Sequence, residues 1–423
     1  MYGAGVSASG LVAPCPNQKP VSQSAWINLD EINEIGFNQM YAGAASKVPS
    51  PGQQVLFMAK ANKSEYRYVA ANQWYGEIPP PFTDTNKYVT THRSSPPAGG
   101  SKYVSFPGGT IEVKAGWRRL TDNEKKQGRF HIQTVRYYES SGSAPCYREE
   151  QWGLVALHII QKTAGAPYFI YATFGQADNM LTASGAHVED ENGNLLANKK
   201  ATPMNPQISS QNATPQSVQK LSPSMANCRP DLQPYYINSL NNGSPQGMVC
   251  VQKRFHDIPQ TIIDANATVH KAIKSYNQAN NIANSPWLYY KLVNVQAVPI
   301  DKPTPGVDYS GPEVATYYQA NIMVETDYNL QVFSGQFQPG NNPAQSGLIT
   351  DFNTDGTPFH NVYNNGHAYN MGGCMGCHGN AQVGGADFSF IMEGQRVFKP
   401  ECVGPTGITQ SQRKFHKLFL ETK

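Results

Sequence analysis

Between Thr110 and Ala115 the apolar Ile111, Val113 and Ala115 alternate with Thr110, Glu112 and Lys114. This two-residue period predicts a strand with one face buried. His131–Tyr138 reads as a second strand. Trp152–Lys162 is a longer, nearly continuous apolar run, as a central strand requires. The turn Thr163-Ala-Gly-Ala166 and the apolar Tyr168–Phe174 follow, predicting a β-hairpin in the core of a sheet. Asn192-Gly193 marks a further tight turn. Trp287–Ile300 and Ala315–Phe333 return to strand-like composition. Helical spacing is clearest over Pro259–Tyr276, where Ile262, Ile263, Val269, Ile273 and Tyr276 share a face. A weaker helical pattern covers Trp26–Ala45 through Ile27, Leu29, Ile32, Ile35, Phe37 and Met40, with Asp30 as a possible cap.

Between these elements the chain is polar and punctuated. Residues 1 to about 25 read as an extended arm. Pro and Gly clusters at 49–52, 79–82 and 96–100 break the next stretch into short pieces. Residues 200–250 are rich in Pro, Asn, Gln and Ser and read as a long loop. The pattern predicts a β-rich α+β fold, with an antiparallel, sandwich-like body over 1–334. A short, mostly irregular or helical segment over 335–423 packs on that body.

The chain has 423 residues, 39% hydrophobic and only 15% charged, with a net charge of +3. Charge is scarce against a usual share of about 25%. The uncharged-polar, tyrosine-rich balance suits an exported protein. The small net charge and the absence of a Lys/Arg block argue against a nucleic-acid partner. No apolar stretch reaches the roughly 18 residues of a transmembrane span. Met1–Gly10 lacks a basic head and an apolar core, so the numbering is expected to describe a mature or trimmed chain.

The chemistry concentrates at Cys374-Met375-Gly376-Cys377-His378-Gly379. C-x-x-C-H is the attachment signature of a covalent c-type haem. Two thiols three positions apart can each form a thioether to a vinyl group, and the next residue is an imidazole for the iron. A redox dithiol would want a βαβ context, and a zinc site a second pair of ligands; neither surrounds the motif. Of the seven cysteines, haem attachment leaves Cys15, Cys146, Cys228, Cys250 and Cys402. An oxidising compartment then predicts two disulfides and one free thiol, with Cys228–Cys250 the first expected pair.

At this motif the chain resembles the c-type cytochromes. Asp387-Phe388-Ser389-Phe390 and Ile111–Trp117 look like phrases of larger exported proteins with one C-terminal haem. The resemblance implies one haem c on Cys374 and Cys377, with His378 as proximal iron ligand. It also implies a periplasmic or extracellular location and electron transfer with a redox partner protein. Small members of the family place a methionine ligand well downstream. Here the one methionine after the motif is Met392, the leading sixth ligand, with His367 or His360 folding back as alternatives. His92 or His131 could reach over from the body. A closed iron gives an electron carrier; an open face gives a haem enzyme acting on a small molecule such as peroxide. A structural or assembly protein carrying haem is a third reading.

Asp351, Asn353 and Asp355, followed by Gly356, fit the first half of a calcium loop. Val362 stands where a full EF-hand needs Glu, so a partial calcium site is the most this pattern supports. His158 reads as a core histidine. Lys114, Trp117, Arg118, Arg119, Arg396 and Lys399 are candidates for haem propionates. Glu149-Glu150 shows no partner that marks an acid/base pair.

Overall fold

The computed structural model describes residues 13–18, 26–29, 41–42, 56–72, 104–141, 144–179, 186–196, 219–221, 234–237, 245–248, 251–254, 257–300, 362–364, 367–369, 373–384, 387–389 and 391. The strands begin with β1 (Ala13–Pro14), β2 (Ile27–Asn28), β3 (Tyr41–Ala42), β4 (Leu56–Ala61), β5 (Ile111–Arg119), β6 (Ile132–Ser141), β7 (Ala144–Thr163) and β8 (Ala166–Gln176). They continue with β9 (Gln219–Leu221), β10 (Pro234–Ile237), β11 (Pro245–Met248), β12 (Val251–Arg254), β13 (Tyr290–Gln296), β14 (Val362–Asn364) and β15 (His367–Tyr369). The helices are α1 (Lys63–Ala71), α2 (Asp122–Gln127), α3 (Gln260–Ala279) and α4 (Gly373–Gly384).

An eight-stranded, largely antiparallel sheet is organised on β7. Gly153 pairs with both Arg118 of β5 and Ile132 of β6, and Ala156 with Gly116 of β5 and Gly175 of β8. β5 therefore runs along one edge of β7, while β6 and β8 share the other. Where β6 gives way to β8, the Tyr290 hydroxyl fills the break. It accepts from the His131 amide at 2.9 Å and donates to the Leu154 carbonyl at 2.7 Å. β4 and β13 complete the path, and β1 and β2 add short parallel pairings.

The pairing register shifts at Gly116/Trp117 of β5, where Trp117 faces Leu154 and Gly116 faces Ala156. Val155 is the extra residue, and it switches the faces of β7. Trp152 and Leu154 join Leu29, Leu56, Ala115, Trp117, Val135, Tyr137 and Tyr290 in an apolar cluster. Beyond the bulge, Leu157 continues on that face, while Ala156, His158, Ile160 and Lys162 turn to the other.

Three sequence expectations are corrected. Ile27–Asn28 pairs in parallel with β6 and Tyr41–Ala42 pairs with β10, so the helix expected over Trp26–Ala45 gives strand at both places. Ladder pairing outweighs a loose helical spacing. The expected loop at 200–250 contains β9, β10 and β11. Helix α3 forms where expected, but Val269 and Tyr276 are 56% and 63% exposed. Its buried face is Asn266, His270 and Asn277. These polar groups cap the sheet edge: Asn266 bonds both the amide and the carbonyl of Leu292, and His270 Nε2 lies 2.8 Å from the Tyr290 carbonyl. An edge strand has backbone groups to satisfy, and this helix satisfies them with side chains.

Cys15 and Cys146 form a disulfide between β1's neighbour and β7. Cys228, Cys250 and Cys402 lie outside the described residues, as does Ala315–Phe333. No helix among the described residues is long and apolar enough to cross a membrane.

Candidate functional site

Directly opposed residues in antiparallel strands share a face. The register therefore builds two rows across the sheet. Lys114, His158, Thr173 and Asn294 form one; Glu112, Ile160, Tyr171 and Gln296 form the next. Strand periodicity predicted that Glu112 and Lys114 lie on the polar side of β5. That side is not the solvent side. Glu112, His158, Thr173, Asn294 and Gln296 are buried.

Part of the cover is α4, which carries the C-x-x-C-H motif. Its Met375 amide donates to Gln296 Oε1 at 2.6 Å, tying the helix to the second row. Cys374 is buried, and Cys377 follows one turn later. The His378 ring lies 5.0 Å from that of Tyr171.

The segment after α4 completes the cover with three consecutive residues. Asp387, at φ +58°, accepts from the Phe106 amide at 2.7 Å and pairs with Lys162 Nζ at 2.6 Å. Both members of that ion pair are fully buried. The Phe388 carbonyl lies 2.9 Å from His378 Nδ1 and accepts from the Tyr171 hydroxyl at 3.3 Å. Ser389 hydrogen-bonds the Glu112 side chain. On the far side, Asn62 caps α1 and donates to the Gly109 carbonyl at 2.8 Å, bringing Glu65 against Glu112.

Electrostatics follow burial. Desolvation lowers His378 to about 4 and His158 to about 3, with Lys114 adding repulsion in both cases. Both imidazoles are neutral at pH 7. A carbonyl acceptor requires Nδ1 of His378 to carry the proton, so Nε2 carries the lone pair. Burial raises Glu65, Glu112 and Asp387; the charge of Lys162 opposes the shift at Asp387.

The structure thus joins His378 and Cys374 to residues that sequence reasoning did not select: Lys162, Asp387, Tyr171, Glu65 and Glu112. One signal was present, since Lys162 closes an apolar run where a lysine needs a partner. The propionate candidates Arg118 and Arg119 are already committed. Arg118 pairs with Glu124 at 2.7 Å in the interior, and Arg119 with Glu150 at 2.7 Å. Trp117 belongs to the apolar cluster. His131 stacks on Trp287 at 4.8 Å. His367 opens β15 opposite Asn364. Met392, His92, His360, Asp351, Asn353, Asp355, Arg396 and Lys399 lie outside the described residues. Among the described residues, no three His, Cys, Asp or Glu side chains are arranged to hold a metal ion.

The donor set at His378 fits a haem iron. An imidazole ligand ordinarily donates its second ring N–H to a carbonyl or carboxylate, which fixes the tautomer and the ring plane. No protein-family model, curated protein or solved structure matches this chain.

Proposed function

We propose that this chain is an exported c-type cytochrome. One haem c is joined to Cys374 and Cys377 and ligated by His378, and it exchanges electrons with a redox partner protein. The observation that carries the reading is the 2.9 Å contact between His378 Nδ1 and the Phe388 carbonyl, ten residues downstream of a C-x-x-C-H motif. That contact leaves Nε2 as the lone-pair nitrogen, the atom that would bind the iron. The bound group would supply a one-electron iron couple. The protein's own part is to orient His378, to exclude water with Tyr171 and Phe388, and to keep the imidazole neutral by burial. The Cys15–Cys146 disulfide supports an oxidising compartment. Met392 and His367 are the sequence candidates for the opposite iron face.

Expression with haem-attachment machinery tests the reading. The expected product retains haem after denaturation, loses it in Cys374→Ser/Cys377→Ser, and gives a six-coordinate low-spin spectrum that does not change under CO. A chain that stays haem-free overturns the proposal. A five-coordinate, CO-binding iron moves it to the enzyme reading.

A further inference from the structure

The carboxyl groups of Glu65 and Glu112 lie against each other in the interior. Glu65 is 1% and Glu112 8% exposed. Both oxygens of Glu65 and Oε1 of Glu112 have no hydrogen-bond partner. Two like charges side by side in a dry interior repel and are desolvated, so one carboxyl of the pair holds a proton.

The surrounding charges are few. Asp387 repels both carboxyls, and it is matched by Lys162 of β7. Lys114 stands two positions along β5 on the same face as Glu112, with its ammonium 4.9 Å from the Phe57 ring centre. Among the described residues, His158, Tyr171, Cys374 and His378 are further titratable groups of the covered face, and burial keeps both imidazoles neutral. The fully buried lysine of this face, Lys162, is thus spent on Asp387.

The pair and the proposed haem ligand hang on one peptide. Phe388 holds His378 through its carbonyl, and the adjacent Ser389 holds Glu112. A charge added at the iron is felt strongly across such a dry interior.

We propose that the Glu65–Glu112 pair is a proton-binding site linked to the redox state of the haem, taking up one proton from solvent as one electron arrives. This rests on the haem reading above. The balance is one electron from the redox partner, which converts ferric to ferrous iron, and one proton bound by the carboxylate of the pair. The interior charge is then unchanged; oxidation reverses both transfers. The two protons belong to the pair as a unit. Burial pushes Glu112 up to about 7, which leaves the second proton exchangeable near neutral pH.

Spectroelectrochemical titration of the full haem-loaded chain across pH tests the linkage. The midpoint potential is expected to fall with rising pH around neutrality. Its slope approaches about 59 mV per pH unit, the one-electron equivalent of a tenfold change. Glu112→Gln, which keeps the shape and a hydrogen-bonding amide, is expected to reduce that slope at least threefold and leave the visible spectrum unchanged. A second measurement needs no electron. The wild type at pH 7 should show a buried carboxylic acid C=O band in the infrared, diminished in Glu65→Gln. A flat wild-type potential, or an unchanged slope in Glu112→Gln, overturns the linkage. So does a stoichiometric divalent cation bound at the pair. Failure to attach haem overturns the haem reading and the redox linkage with it, while the infrared band still decides whether the proton is shared.

Discussion

The two halves of β7 carry ion pairs of opposite character. Before the bulge at Val155, Arg119 and Glu150 pair with side chains 47% and 32% exposed. Arg136 meets Glu149 there, between the rings of Trp26 and Tyr147 at 3.9 and 4.0 Å. After the bulge, Lys162 and Asp387 pair with both side chains at 0%. The first half keeps Arg119 and Glu150 near water and covers the Arg136–Glu149 pair with aromatic rings, and its apolar cluster and the Cys15–Cys146 bridge hold the sheet together. The second half hides charge in the interior, where the ion pair itself, the Phe106 amide and the Ser105 hydroxyl offset desolvation. Stability is concentrated at one end of the strand and titratable chemistry at the other.

The sharpest way to break this contrast is Lys162→Met. It strands Asp387 in the interior and is expected to cost about 3–5 kcal/mol in urea unfolding. Lys162→Met/Asp387→Leu should recover much of that loss; no recovery would mean that the pair does more than satisfy itself. At the other end, Cys15→Ala/Cys146→Ala should cost about 2–4 kcal/mol in the same assay while leaving His378 in place.

The Glu65–Glu112 pair gives a smaller effect with a definite sign. The folded pKa of Glu112 lies above its unfolded value, so the native state holds a proton that the unfolded chain releases. Stability is fully present in acid and is lost as pH rises from the ordinary carboxylate range through about 7. A tenfold difference in proton affinity between the folded and unfolded chain corresponds to about 1.4 kcal/mol. Denaturation midpoints measured from pH 5 to 8 should fall in the wild type and stay flatter in Glu112→Gln. Smallest of all is Arg119→Ala, whose exposed pair should change stability by under about 1 kcal/mol. A loss matching that of Lys162→Met would erase the distinction between the two halves.

Much of the sheet was legible because alternation and hairpin signals are local. Trp152–Lys162 and Tyr168–Phe174 lie in strands of the sheet, as do Thr110–Ala115 and His131–Tyr138 apart from the first residue of each. The helix over Pro259–Tyr276 was equally plain, but its orientation was not. Val269 and Tyr276 face out while Ile262, Ile263 and Ile273 are half-buried, because the edge of β13 demanded Asn266 and His270, a requirement set by another part of the chain. Glu112 shows the same limit. Its place opposite the apolar residues of β5 follows from period, but its burial depends on a segment more than 270 residues later. The candidate site was legible only at the motif; the Asp387-Phe388-Ser389 clamp was visible as a phrase without a role.

The sequence alone determined the strands flanking β7, the C-x-x-C-H triad and the identity of the imidazole beside it. Those features rest on neighbours in the chain, and spacing encodes them. Only tertiary structure decided which face of β5 meets water, that Cys15 reaches Cys146, and that Phe388 orients His378 while Ser389 holds Glu112. Most of these join residues far apart in sequence. Their energies come from desolvation and pairing in a shared interior, which no local pattern records.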